Sequence, residues 1–140
     1  MKLIRLSNPV IFNQYVQPIA LPARCRTESS MCLISGFGNM STPTDYSDLA
    51  GLKVLKAPVM ASSSCRNAFD RPDIITQSMI CFGDINSCKI GYYAKLRKGG
   101  PAECNDRLQG IFSWNYYPES GTFTKICMFN DWIEETMASY

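Results

Sequence analysis

Seven cysteines, at positions 25, 32, 65, 81, 88, 104 and 127, and not one histidine constrain this 140-residue chain more than any other feature. No two cysteines form a C-x-x-C pair, and zinc needs clustered Cys and His ligands, so the residues argue against a metal site. They argue instead for a disulfide framework made in an oxidising compartment. Seven is odd, so one thiol is left over or pairs with another chain. The choice of odd thiol and the pairing of the other six leave 105 three-bridge frameworks open to the sequence. The first residues pull the other way. Residues 1–6 carry Lys2 and Arg5, but Asn8-Pro9, Asn13-Gln14 and Gln17-Pro18 interrupt any apolar run after them. We therefore expect no signal peptide and no membrane-spanning segment. Either upstream residues are missing or the chain stays where bridges do not form.

A chain of this length is expected to fold as one domain and can bury a core. Its net charge of +2 and its lack of a basic helix point away from nucleic acid. We find no repeats and no low-complexity segment.

Apart from the end of the chain, the elements read from the sequence are mostly strands, so we expect an all-β chain. Residues 3–6 read as a short strand and Ser7-Asn8-Pro9 as a turn, followed by a Pro-punctuated connector over 10–24. Strands are expected over 31–39, 51–60, 78–82, 108–114 and 121–128, with Pro58 marking an edge or strand end. Loops are expected over 42–46 and 115–120, and a turn over 70–73. Ser62, Ser63 and Ser64 suit the cap of a short helix reaching Phe69. At the end the period changes. Phe129, Trp132, Ile133, Thr136, Met137 and Tyr140 share one helical face, and Asp131 with Glu134 matches a capping box.

Between Asn86 and Trp114 the sequence reads NSC, then GGPAEC after an intervening run, then LQGIFSW. Ser87, Cys88, Gly99, Gly100, Pro101, Ser113 and Trp114 resemble the segment that carries the nucleophile in trypsin-like serine peptidases, S-C-x-G-D-S-G-G-P followed by a strand ending in S-W-G. The resemblance extends over nearly the whole chain, through L-I-x-L at 3–6, LPARC, CLISGFGN at 32–39, LKVLKAPV, the Ser-Ser-x-Cys helix, MICFG, TKIC and the terminal WIEETMAS. The family fold is two antiparallel β-barrels with the active site between them. The resemblance implies the end of the first barrel and a connector over 1–24, the second barrel over 25–128, and a C-terminal helix over 129–140.

The same resemblance implies the bridges Cys25–Cys127, Cys32–Cys104 and Cys65–Cys81, with Cys88 as the free thiol, and an extracellular location. It also implies that the catalytic centre has been lost. The G-D-S is absent, and residues 89–98 stand where the family has four residues. Lys98 takes the nucleophile's place, Arg97 that of the aspartate which receives the new N-terminal ammonium, and Leu96 that of the oxyanion-hole glycine. The catalytic aspartate of the family would fall just before Met1. Peptide hydrolysis by the inherited route needs the serine, a histidine base, its aspartate and the oxyanion donors together. In the specificity pocket, Asn86 replaces the aspartate that selects basic side chains, Asn115 replaces the glycine after Ser113-Trp114, and Gly121 keeps the far wall. The run 89–98 holds four cations and no acid. It reads either as a binding patch for an anionic partner or, more plainly, as a solvated insertion. Asn39-Met40-Ser41 is a glycosylation sequon.

The function expected is thus an inactive trypsin-like homologue with at most a binding role, toward a protein partner or an absent first barrel. No cofactor, metal, nucleic acid or membrane is implied. The alternatives are a serine endopeptidase whose N-terminal half and active-site segment lie outside this sequence, and a fragment too exposed to fold stably alone.

Overall fold

In a computed structural model, residues 1–25, 30–37, 51–69, 71–83, 98–116 and 120–140 are described. Six strands form one sheet: β1 (Met31–Phe37), β2 (Leu52–Pro58), β3 (Met79–Cys81), β4 (Pro101–Glu103), β5 (Leu108–Tyr116) and β6 (Ser120–Lys125). The order across the sheet is β2-β1-β4-β5-β6-β3, and every pairing is antiparallel. Two short helices complete the described elements, α1 (Ser62–Asn67) and α2 (Asn130–Ala138), with 3₁₀ turns at Pro72–Ile74 and Ile126–Met128.

Alternation decides which side of the sheet is buried. In β1, Cys32 and Ile34 point into the core while Met31, Leu33 and Phe37 face out. In β2, Ala57 lies inside and Leu52 and Val54 outside. The inner faces of all six strands supply one cluster: Cys32, Ile34, Ala57, Ile80, Ala102, Cys104, Phe112 and Phe123, joined by Val59 and Phe82 from the strand ends. Three rings form its centre. Phe123 meets Phe82 edge-on at 4.8 Å and Phe112 at 5.2 Å, spacings at which aromatic pairs attract beyond their area. Gly110 is required there, because a Cβ at that position would lie 3.0 Å from Cβ of Phe123. A second cluster, Met60, Cys65, Phe69, Ile75 and Cys81, fastens α1 and the following turn to the sheet.

The ladder does not run round from β3 to β2. Among the described residues the two edges meet at the isolated bridge Val59–Phe82, with the Met60 and Gly83 amides donating to the carbonyls of Cys81 and Pro58. The barrel expected from the sequence is therefore seen as a sheet whose edges touch at one point. Two causes are local: β3 has only three residues, and Pro58 has no N–H to extend the ladder.

Other local expectations also shift. Residues 3–6 form no strand, since no described strand lies alongside to pair with them. Strand β4 was not foreseen beyond its Gly-Gly-Pro turn. It enters β5 through Asn105 and Asp106, both at positive φ (51° and 58°), a two-residue loop closed by reciprocal Cys104–Arg107 backbone bonds. Asn and Asp tolerate that backbone, which suits the twist of a hairpin. The strand expected over 121–128 stops at Lys125 and turns into the 3₁₀ segment. Ala61, not a serine, precedes α1, and no side chain caps it. The expected capping box on α2 does not form either, for its first turn begins after Phe129 without a side-chain cap. Of the expected α2 face, Ile133 is buried, whereas Trp132, Met137 and Tyr140 are exposed.

All three expected bridges are present: Cys25–Cys127, Cys32–Cys104 and Cys65–Cys81. The first holds the connector to the body, the second joins β1 to the end of β4, and the third joins α1 to β3. Cys88 lies outside the described residues.

Candidate functional site

Three adjacent strand ends gather the predicted residues that can be placed. Lys98 is exposed in the turn before β4, and the next amide, Gly99 N–H, donates to the Phe112 carbonyl of β5 at 2.8 Å. Gly99 has φ +97°, a backbone that a side chain resists, so the Gly-Gly-Pro sequence is needed to enter β4 at this angle. The Phe112 amide returns a bond to the Gly100 carbonyl at 2.8 Å. These two bonds hold the turn that carries Lys98 beside β5 where the run Ser113-Trp114-Asn115 begins.

That run is irregular. The β5–β6 register shifts between Phe112 and Trp114, leaving Ser113 opposite no partner. Such a bulge bends its strand and re-aims the side chains beside it. Beyond it, Trp114 pairs with Thr122 and Asn115 with Gly121. Trp114 is half-buried, its ring 5.6 Å from Phe69, so α1's segment supports it from behind. Gly121 is buried. The fold thus brings Lys98, Ser113, Trp114, Asn115 and Gly121 to one end of β4, β5 and β6. Asn86, Leu96 and Arg97 lie outside the described residues, as does the rest of the run 89–97.

The chemistry of this end is sparse. Lysine at 98 offers an amine where the resemblance places a hydroxyl, and no imidazole exists anywhere in the 140 residues to act as its base. Among the described residues, no group of His, Cys, Asp and Glu is arranged to hold a metal ion. Nor is any helix among them long and apolar enough to cross a membrane. Among the described residues the one perturbed carboxylate lies elsewhere: hydrogen bonds from Arg71 at 2.9 and 3.2 Å hold the exposed Asp73 carboxyl below its ordinary range.

Sequence reasoning missed one polar feature close to this end. Thr122 is wholly buried, and its hydroxyl has no hydrogen-bond partner among the described residues. Only its neighbour Gly121 had been singled out. A threonine in an otherwise apolar β6 position is the signal that would have found it.

Comparisons with known proteins place this geometry. The sequence model of the Trypsin family matches residues 1–133. Trypsin-1 of Salmo salar is 41% identical over 99% of this chain, and Serine protease 1 of Rattus norvegicus is 42% identical over 98% of it. The match covers 56% and 55% of those relatives, so the chain spans about half the length of the curated relatives it matches. Among solved structures, neuropsin, a serine protease expressed in the limbic system of mouse brain, superposes with a TM-score of 0.77 at 30% identity. That superposition covers 95% of this chain and 59% of neuropsin. A family match over nearly every residue, relatives about 40% identical along the whole chain and this superposition together make the chain a member of the trypsin family of serine peptidases.

Proposed function

We propose that this chain does not hydrolyse peptides and acts, if at all, by binding. One observation carries the reading: the 140 residues contain no histidine, and lysine stands at position 98 where the resemblance places the nucleophile. Removing triad members from such a peptidase abolishes most of its catalysis, and losing an oxyanion donor removes about 10²–10³ more. Here Leu96 and Arg97 stand in the donor and adjacent aspartate positions. An Asn86 in place of the selecting aspartate leaves a neutral pocket floor, so preference for basic side chains is lost with the chemistry.

On this reading the sheet corresponds to the second barrel of the family fold, residues 25–128, and the chain works outside the cell. What it binds is a protein surface, either a first barrel or a separate partner, laid against residues 1–24 and α2. The test is direct. Purified chain, freed of contaminating peptidase, is exposed to a fluorophosphonate probe and to a lysine peptide ester. We expect neither labelling nor turnover. A probe adduct on any serine overturns the proposal.

A second reading is favoured by one finding, the 44–45% of each relative that has no counterpart here. In it the active protein is a serine endopeptidase with a histidine-bearing upstream half. Sequencing the full transcript separates the two readings. An upstream half carrying His and Asp, together with a Gly-Asp-Ser in place of residues 89–98, would establish the endopeptidase.

A further inference from the structure

A crevice of about 790 Å³ opens between α1, residues 75–77, β3 and the 3₁₀ turn Ile126–Met128. Its size falls within the range of small-molecule sites. The floor is unusually rich in sulfur. Met60, Met79 and Met128 line it together with both halves of the Cys65–Cys81 bridge. Met60, Cys65 and Cys81 are buried, while Met128 is 50% exposed. Thioethers are polarisable, adapt their shape, and attract aromatic ring edges.

The rim has the opposite character. Arg66 projects from α1 and Lys125 comes from the end of β6, and no carboxylate among the described residues lines the crevice. Neither cation has an ion-pair partner among the described residues, unlike Arg71, which pairs with Asp73. Two uncompensated cations beside a sulfur-lined apolar floor are complementary to a molecule with a flat apolar body and one negative end. A neutral ligand would leave the rim unanswered, and a purely polar anion would leave the floor wet.

We propose that this crevice is a binding site for a small aromatic monoanion, a ring carboxylate or sulfonate, with its ring against Met60 and Met79 and its charge between Arg66 and Lys125. Charge-assisted hydrogen bonds from the two cations fix orientation, and the ring's burial supplies most of the affinity. The site uses none of the residues at the Lys98–Gly121 end of the sheet, so it holds whether or not the chain hydrolyses peptides.

The methyl groups of methionine report on it directly, since the chain has seven methionines and three of them line the crevice. The full chain, labelled with ¹³C at the methionine ε-methyl groups, is titrated with naphthalene-2-sulfonate and separately with neutral 2-methylnaphthalene. The sulfonate should shift the Met60, Met79 and Met128 signals saturably and leave Met31 and Met137 in place. Arg66→Gln and Lys125→Gln, both on accessible side chains, should each weaken binding about tenfold, the loss expected for one hydrogen bond to a charge. An unchanged methyl spectrum in the free variants confirms that their fold is retained. The proposal is overturned if the sulfonate moves Met31 or Met137 instead, if both variants bind as the parent does, or if the neutral hydrocarbon binds equally well.

Discussion

Replacing Cys32 and Cys104 together by alanine should lower stability by about 4 kcal/mol, and the size follows from how the bridges are nested. The Cys32–Cys104 loop has a sequence separation of 72, for which the chain-entropy treatment gives about 4.4 kcal/mol when the bridge acts alone. It does not act alone. The outer bridge Cys25–Cys127 already ties the chain seven residues before Cys32 and twenty-three after Cys104. The shorter route between the two cysteines therefore runs through about 30 residues, and the entropic share falls to about 3.6 kcal/mol. Packing adds to it. Both cysteines are 1–2% exposed within the main core cluster, so alanine also removes sulfur from a filled site. Urea denaturation of the oxidised chain and the double variant, followed by tryptophan fluorescence, measures the difference. At a slope of about 2 kcal/mol/M, the midpoint should drop by about 2 M. A variant within 0.5 M of the parent would refute the reasoning, because it would mean that neither the inner loop nor the buried sulfurs restrict this fold.

Gly110→Ala should destabilise by about 1–3 kcal/mol in the same assay, because the added methyl meets Cβ of Phe123 at 3.0 Å and Phe82 at 3.3 Å within a packed core. Thr122→Val should do the reverse and raise stability by about 1 kcal/mol, since it replaces a buried, unpartnered hydroxyl with a methyl of similar shape; a loss instead would mean that the hydroxyl is bonded. Asn130→Ala should lose about 1 kcal/mol with the 2.6 Å bond to the Pro22 carbonyl, offset in part because the amide oxygen of Asn130 is itself buried without a partner. Asp73 has its folded pKa lowered by the Arg71 hydrogen bonds, so its small contribution is present above the unfolded pKa and fades as pH falls through the folded one. NMR titration should place its midpoint below the ordinary aspartate value, and Arg71→Gln should restore that value; an unchanged midpoint in the variant would contradict the assigned cause.

What the sequence made legible follows from the range of the forces involved. The strands over 31–37 and 52–58 were legible from their apolar and β-branched runs, but their inner faces were not: every residue of Cys32-Leu33-Ile34 is apolar, and the apolar Leu52 and Val54 that alternate with Lys53 lie on the outer face. The bridges could not be read from spacing, which left 105 frameworks; only the family resemblance picked out the three that the structure contains. Strand β4 was missed because its three residues carry no period. Pairing with β1 and β5 makes it a strand, and that is a tertiary fact. The capping box on α2 failed because the helix begins at Asn130 with Phe129 as its N-cap, which places Asp131 inside the first turn. Asn130, beside it, is drawn toward the Pro22 carbonyl, a partner 108 residues away that no local rule contains. At the candidate site, residue types were readable, but the bulge at Ser113 was not. It arises from the register between two strands rather than from either strand's composition.

The connector shows where the body of this fold begins. Ala20 accepts from the Leu108 amide at 3.0 Å, Leu21 from Arg107 at 2.7 Å and Pro22 from Asn130, before Cys25 is bridged to Cys127. Four anchors within six residues tie this stretch to β5, its hairpin and the start of α2. Before Ala20 the character changes. Ile4, Ile11 and Tyr15 are 79%, 85% and 86% exposed, and the first five residues face α2 across a cleft of about 750 Å³ beside Trp132 and Met137, with Arg5 donating to the Tyr140 carbonyl at 3.2 Å. Exposed side chains of this size, repeated along one stretch, are what an unpaired layer looks like, and burying each would contribute about 1.5–3 kcal/mol. A covering surface against residues 1–19 therefore adds stability without touching the pinned connector. The proposed binding role and the endopeptidase reading thus draw on the same apolar face, and they differ in whether the cover comes from a separate protein or from the same polypeptide.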